Sequence, residues 1–148
     1  MYHTNLSRQF SDLEHTADIQ IHSWGGSLEE SFIECAYALY DYMTDRSTVN
    51  VDSQHTTTIN VTGDGVDRLL YNFLDELLFR FSATPFLVAK RIEMRVFDVE
   101  GGRLEATCFG EPFESERHPC GTEVKAITTS NLQISPVSPY DIYIIFDI

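Results

Sequence analysis

The stretch LEHTADIQIHSW, residues 13–24, decides the fold, because it joins a cluster of polar side chains to a strand. Its second half alternates Ile19 and Ile21 with polar residues, which is the period of a half-buried strand. Polar side chains at the mouth of a rigid strand are a common way for a fold to build a functional site. We therefore expect a site here, with Asp18 as its first member.

Two helices are predicted after this strand. Residues 28–43 place apolar side chains at helical spacing, behind a capping box formed by Ser27 and Glu30. Residues 66–81 give a wide apolar face, and Pro85 follows its end. Each pattern indicates an amphipathic helix that buries one side.

The rest of the chain predicts strands, namely residues 55–61, 91–98, 104–109, 122–130 and 140–148. The last of these is apolar on both faces, as expected of a central strand. Residues 1–9 are polar, and we expect them to form a flexible segment ahead of a single domain at residues 10–148. The fold class predicted is α+β, with a mostly antiparallel sheet and two amphipathic helices packed on it.

The net charge and the number of cysteines exclude several classes of protein. The chain has 148 residues, ten basic against 23 acidic, and a formal net charge of -13, which argues against direct binding of nucleic acid. The three cysteines form no C-x-x-C pair, so reduced thiols are expected rather than disulfides or a cysteine zinc site. No signal peptide or membrane span is visible, and we expect a cytoplasmic protein, with the nucleus as a second location.

The last two residues supply further anionic groups. Asp147 stands beside the terminal carboxylate of Ile148, and the two charges repel unless they are exposed or bridged by a cation. If the first and last strands are neighbours, Asp18 joins them. Three oxygen donors without sulfur favour a hard cation such as Ca²⁺, Mg²⁺ or Mn²⁺. The alternative is a turn aspartate and a solvated chain end, and sequence spacing alone does not decide between them.

His15 and Lys125 are the remaining candidates. His15 is interpreted either as a group that supports the metal ligands or as a polar core residue. Lys125 is either an exposed strand lysine, a positive group beside the acidic site, or a contact to a partner. The signatures of phosphate loops, dinucleotide sites, zinc proteases and serine hydrolases are absent, and no catalytic residue is predicted.

Six motifs together give the chain a resemblance to a known family, over nearly its whole length. They are LEHTAD at 13–18, WG at 24–25, SLEE at 27–30, MTD at 43–45, HPCGTEVKAIT at 118–128 and FDI at 146–148. In this combination the sequence resembles the archease family. Archeases are small acidic proteins that assist the RtcB-type tRNA-splicing ligase. That ligase joins RNA ends through a guanylylated histidine, using GTP and Mn²⁺.

The resemblance implies an accessory protein that promotes ligase guanylylation and multiple turnover without catalysis of its own. The family's metal site, usually assigned to calcium, falls on Asp18, Asp147 and Ile148, and its motif lysine falls on Lys125. The expected partner is the RtcB-type RNA ligase with its complex. Two other functions stay open: a metal-dependent phosphoester hydrolase built on Asp18, His15 and Asp147, and a chaperone-like interaction module.

Overall fold

The computed structural model of the chain describes residues 1–10, 15–51 and 56–148, and of residues 3, 5–10, 15 and 16 it describes the backbone alone. The α-helices are α1 (Leu28–Met43) and α2 (Val66–Ser82). The strands are β1 (Tyr2–Phe10), β2 (His15–Ser23), β3 (Thr56–Thr62), β4 (Leu87–Asp98), β5 (Arg103–Pro112), β6 (Ala126–Ile127), β7 (Gln133–Ile134) and β8 (Ile142–Asp147). A 3₁₀ turn at Arg46–Thr48 follows α1. The predicted α+β class is confirmed.

The described strands form two antiparallel sheets rather than one. In the first sheet the order is β1-β2-β8, and the short strands β6 and β7 both pair with the far edge of β8. In the second sheet the order is β3-β5-β4. Strand β8 is therefore central, as its apolar sequence predicts.

The two helices join the sheets into one core. Helix α1 contacts β1, β2 and β8 of the first sheet and β4 of the second, whereas α2 contacts the whole second sheet and β6. Phe32 of α1 and Phe73 of α2 are fully buried, with ring centroids 6.4 Å apart. Burial of each such side chain stabilises the fold by about 1.5–3 kcal/mol. No helix among the described residues is long and apolar enough to cross a bilayer.

Helix α1 has the predicted bounds because its capping box is present. The Ser27 hydroxyl accepts a hydrogen bond from the Glu30 N–H at 3.1 Å. The Glu30 carboxylate accepts one from the Gly26 N–H at 2.9 Å. The first bond pairs a backbone donor that the helix itself cannot satisfy, and the second fixes the residue just before the cap.

The N-terminal residues differ from the expectation of a loose polar segment. Tyr2–Phe10 forms the edge strand β1, paired in register with β2 from Tyr2 opposite Ser23 to Phe10 opposite His15. Main-chain hydrogen bonds along β2 make this pairing, so it requires no apolar alternation in β1. This is why the sequence pattern did not indicate it.

The strand predicted at 122–130 is also shorter than expected. Only Ala126–Ile127 forms a strand there, although the N–H groups of Lys125 and Thr128 on either side also donate to β8 carbonyls. Lys125 lies just before this strand rather than within it. Upstream, the N–H groups of Gly121 and Thr122 donate to Met43 and Tyr42 carbonyls at the end of α1, at 2.8 and 3.1 Å. Hydrogen bonding to the helix end takes the place of a strand partner there.

Candidate functional site

Asp18 and Asp147 lie directly opposite each other on the neighbouring strands β2 and β8. The next residues along each strand, Ile19 and Phe146, are fully buried against the helices. Because side chains alternate between the two faces of a sheet, both carboxylates lie on its outer face. The apolar pattern of the two strands therefore fixes where the acid pair stands.

The pair is electrostatically strained. Burial raises the pKa of the Asp147 carboxyl, and a hydrogen bond and negative charge from Asp18 raise it further, while Lys125 acts in the opposite direction. When both carboxyls are ionised, like charges face each other across the strand pair, which is unfavourable.

Main-chain hydrogen bonds bring the other predicted residues to the same place. The Lys125 N–H donates to the Asp147 carbonyl at 2.7 Å. The Ile148 N–H donates to the Ala17 carbonyl at 3.0 Å, which continues the pairing of β2 with β8 past Asp147. Lys125 is exposed, and Ile148 is partly buried. Four of the five predicted residues thus share one corner of the first sheet.

The fifth predicted residue, His15, stands at the beginning of β2, where its backbone pairs with Phe10. Its side chain lies outside the described part of the structure. The prediction that it supports the ligands therefore stays a prediction.

The donor set at this corner suits a hard cation. In the described ranges, no group of three or more His, Cys, Asp or Glu side chains could hold a metal ion. The oxygen donors that the strand pairing brings together here are the side-chain carboxylates of Asp18 and Asp147, and a contribution from Ile148 stays a prediction. Calcium takes six to eight oxygen ligands, so the rest of its shell would come from water or a partner.

Sequence reasoning missed two buried polar residues, Glu111 and His118, which are 7% and 1% exposed. Glu111 lies on β5, and His118 Nε2 is 2.8 Å from its carboxylate. Both lie between the strands predicted at 104–109 and 122–130, where no element is predicted. No periodicity marks them, and only a buried location distinguishes such a pair from solvated loop residues.

Comparison with known proteins agrees with this architecture. The model of the Archease protein family matches residues 10–148. A protein archease-like from Drosophila melanogaster is 48% identical over 143 residues, covering 95% of this chain and 90% of that one. Protein archease from Danio rerio is 42% identical over 143 residues, covering 97% of this chain and 87% of that one.

A solved structure shares the fold. The solution structure of protein 1598 from Methanobacterium thermoautotrophicum superimposes with a TM-score of 0.75 at 28% identity, covering 98% of each chain. Family model, relatives and fold therefore agree over nearly the entire sequence. The chain belongs to the archease family.

Proposed function

We propose that this protein is an accessory factor of the RtcB-type tRNA-splicing RNA ligase, promoting its GTP-dependent guanylylation and its multiple turnover. Membership of the archease family supports the choice of partner. The observation that carries the proposal is the facing pair Asp18 and Asp147 on an outer sheet face. A fold keeps like charges opposite each other at a cost, which is expected where the pair has a function.

The role proposed for this pair is to hold a divalent cation, most simply Ca²⁺, with Mg²⁺ and Mn²⁺ as alternatives. Asp18, Asp147 and the carboxylate of Ile148 would supply oxygen ligands, and Lys125 would balance the remaining negative charge. A bound cation would place positive charge on this face of the sheet. An anionic group of the partner could then bind to that cation. The side chains of this protein would bind the cation and need not transfer a proton.

The charge of the whole molecule fits a protein partner better than RNA. A net charge of -13 repels phosphate and attracts a basic surface on another protein. We therefore propose docking on the ligase without direct contact to nucleic acid. The cytoplasm, with the nucleus as a second location, stays the expected compartment.

A ligation assay under single-turnover and multiple-turnover conditions tests the proposal. It compares the ligase alone, with this protein, with Asp18→Ala, and with Glu105→Ala as a control that removes the same charge from the second sheet. We expect wild type and Glu105→Ala to sustain multiple turnover and Asp18→Ala to fail. Full stimulation by Asp18→Ala would reject the site.

Two alternative functions give different results. A metal-dependent hydrolase built on Asp18, His15 and Asp147 would cleave a phosphoester without the ligase. A chaperone-like module would keep its effect on the partner in Asp18→Ala and Asp147→Ala. Assaying the isolated protein and both variants separates the three functions.

A further inference from the structure

A segment that we call the strap, residues 118–125, connects a buried polar pair to the acidic corner. It begins at His118, which is fully buried, and ends at Lys125, whose N–H donates to the Asp147 carbonyl at 2.7 Å. Residues 118–125 themselves contain no helix or strand. Its position therefore depends on a small number of discrete hydrogen bonds.

The first attachment of the strap is the imidazole of His118. The Glu114 N–H donates to Nδ1 at 2.9 Å, so the ring hydrogen is on Nε2. This Nε2–H donates to the Glu111 carboxylate on β5 at 2.8 Å. Both ring nitrogens are thus used, and the ring orientation is fixed between β5 and its own turn.

Glu111 is held equally firmly. Its Oε1 also accepts hydrogen bonds from the Asn50 N–H at 3.0 Å and from Arg117 at 2.6 Å. Burial alone would raise the pKa of this carboxyl, but the hydrogen bonds from Asn50, Arg117 and His118 lower the pKa to about 2. At neutral pH an ionised, buried acceptor therefore anchors the strap to the second sheet.

The middle of the strap is attached to the end of α1. The Thr44 hydroxyl donates to the Pro119 carbonyl at 2.7 Å. The N–H groups of Gly121 and Thr122 satisfy two carbonyls of the last helical turn, which has no further intrahelical donors. A Cβ at Gly121 would lie 2.5 Å from the Tyr42 carbonyl oxygen, so only glycine fits this approach.

Side-chain packing does not hold the strap over its whole length. Residues 120–124 line a cavity of about 220 Å³, whose other walls include Met43, Phe81 and Phe113. Only Val124 of these five strap residues is buried. Hydrogen bonds at His118, at the end of α1 and at Lys125 therefore carry much of the positioning.

We propose that Glu111 and His118 are positioning residues for the Asp18–Asp147 pair, because they fix one end of the strap whose other end holds the main chain of Asp147. The cation-binding part of this inference rests on the proposed function. The part that concerns the strap does not. Neither residue touches the acid pair, and their effect passes through the chain between them.

Amide hydrogen exchange measured by NMR tests the strap itself. In Glu111→Ala and His118→Phe we expect the Lys125 amide to exchange about tenfold faster or more, because its hydrogen bond opens locally. Amides of β3 should keep their wild-type protection. Glu111→Gln should restore most of the Lys125 protection, because its side-chain oxygen, with two lone pairs, can still accept from the His118 Nε2–H and the Asn50 N–H.

A control variant shows whether general destabilisation alone would speed exchange at Lys125. Ile59→Val deletes one buried methyl group from β3 and leaves the strap hydrogen bonds in place. It should not speed exchange at Lys125 relative to neighbouring strands. If Glu111→Ala does not fold, His118→Phe, which keeps a ring packed against Phe113, carries the same test.

Calorimetric titration with Ca²⁺ at neutral pH tests the link to the acid pair. We expect Glu111→Ala and His118→Phe to bind about tenfold more weakly than wild type, since lost support of a ligand costs 10–100-fold in affinity. Glu111→Gln and Ile59→Val should bind like wild type. Unchanged exchange at Lys125, or faster exchange with unchanged affinity, would overturn the inference.

The two proposals fail in different ways. If wild type itself takes up neither Ca²⁺, Mg²⁺ nor Mn²⁺, the proposed cation site is wrong. The exchange experiment then still decides whether Glu111 and His118 position the strap. If wild type binds the cation and the strap variants bind it equally tightly, the cation site stands and the inference about the strap is wrong.

Discussion

The outer faces of the two sheets use charge in opposite ways. On the second sheet, arginine and glutamate alternate, with Arg95 2.9 Å from Glu93 and Arg103 3.5 Å from Glu105. On the first sheet, Asp18 faces Asp147 directly, and the charge of Lys125 acts to lower the pKa of Asp147. One face neutralises itself, whereas the other keeps a local excess of negative charge.

This difference distinguishes acidic residues that are paired with arginine from acidic residues that face each other. Largely exposed ion pairs of the kind on the second sheet contribute about 0.2–1 kcal/mol each. Like charges directly opposite on adjacent strands cost a similar amount. A count of acidic residues cannot separate the two situations, but strand register can.

The largest expected effect is on cation affinity. We expect Asp147→Ala to weaken Ca²⁺ binding at least about 100-fold, since even the loss of a supporting group costs 10–100-fold. Glu105→Ala, which removes the same charge from the second sheet, should change the affinity less than about twofold, because solvent and salt screen a charge on the other sheet. Calorimetry at neutral pH measures both. Equal losses in the two variants would mean that net charge alone attracts the cation.

The carboxylate of Ile148 gives the next effect. A Gly-Ser-Gly extension after Ile148 converts this carboxylate to an amide, and we expect Ca²⁺ affinity to fall roughly tenfold. Ile148→Val keeps the carboxylate and serves as the control. Wild-type affinity and full ligase stimulation in the extended protein would remove Ile148 from the proposed ligand set.

Removing the like-charge repulsion should stabilise the metal-free protein. In a chelator, we expect Asp18→Asn to raise the free energy of unfolding at pH 7 by about 0.2–1 kcal/mol. It should at the same time abolish tight cation binding. Denaturant unfolding provides the measurement, and a loss of stability in Asp18→Asn would contradict the proposed repulsion.

The difference in stability between Asp18→Asn and wild type should depend on pH. Folding raises the pKa of Asp147, so the folded protein holds that proton more tightly than the unfolded chain. The stabilisation of the fold by this bound proton is fully present below the ordinary carboxyl pKa. It is lost as the pH rises through the raised pKa of Asp147. The advantage of Asp18→Asn should therefore be small near pH 3 and grow towards pH 7. An advantage that shrinks as the pH rises would contradict this assignment.

The smallest effect is expected on the second sheet. Glu93→Gln breaks the contact with Arg95, yet both side chains are more than a third exposed. We expect the free energy of unfolding to change by no more than about 0.5 kcal/mol. A loss well above 1 kcal/mol in the same denaturant experiment would show that this face, too, depends on its charges.

Most of the fold could be predicted from local patterns. Helix α1 carries its own start signal in Ser27 and Glu30, and α2 has an apolar face wide enough to be unambiguous. The central position of β8 followed from its apolar character on both faces. These features are encoded within a few residues, which is why sequence alone reveals them.

The rest depends on contacts between distant parts of the chain. The edge strand β1 has no pattern of its own, and the strap follows the free carbonyls of α1 instead of a neighbouring strand. For the candidate site, sequence indicated the residue types, but only the pairing of β2 with β8 places Asp18 opposite Asp147. The roles of Glu111 and His118 depend on burial, which no motif encodes.

The pairing of β2 with β8 also bears on the order of folding. These strands are separated by almost the whole sequence, and the entropy of closing a loop grows with its length. Such distant contacts slow folding, so β8 is expected to dock after the local helices and hairpins. Asp18 and Asp147 then meet only in molecules that have completed this step. A cation held by the pair would therefore stabilise finished molecules and leave partly folded ones without support.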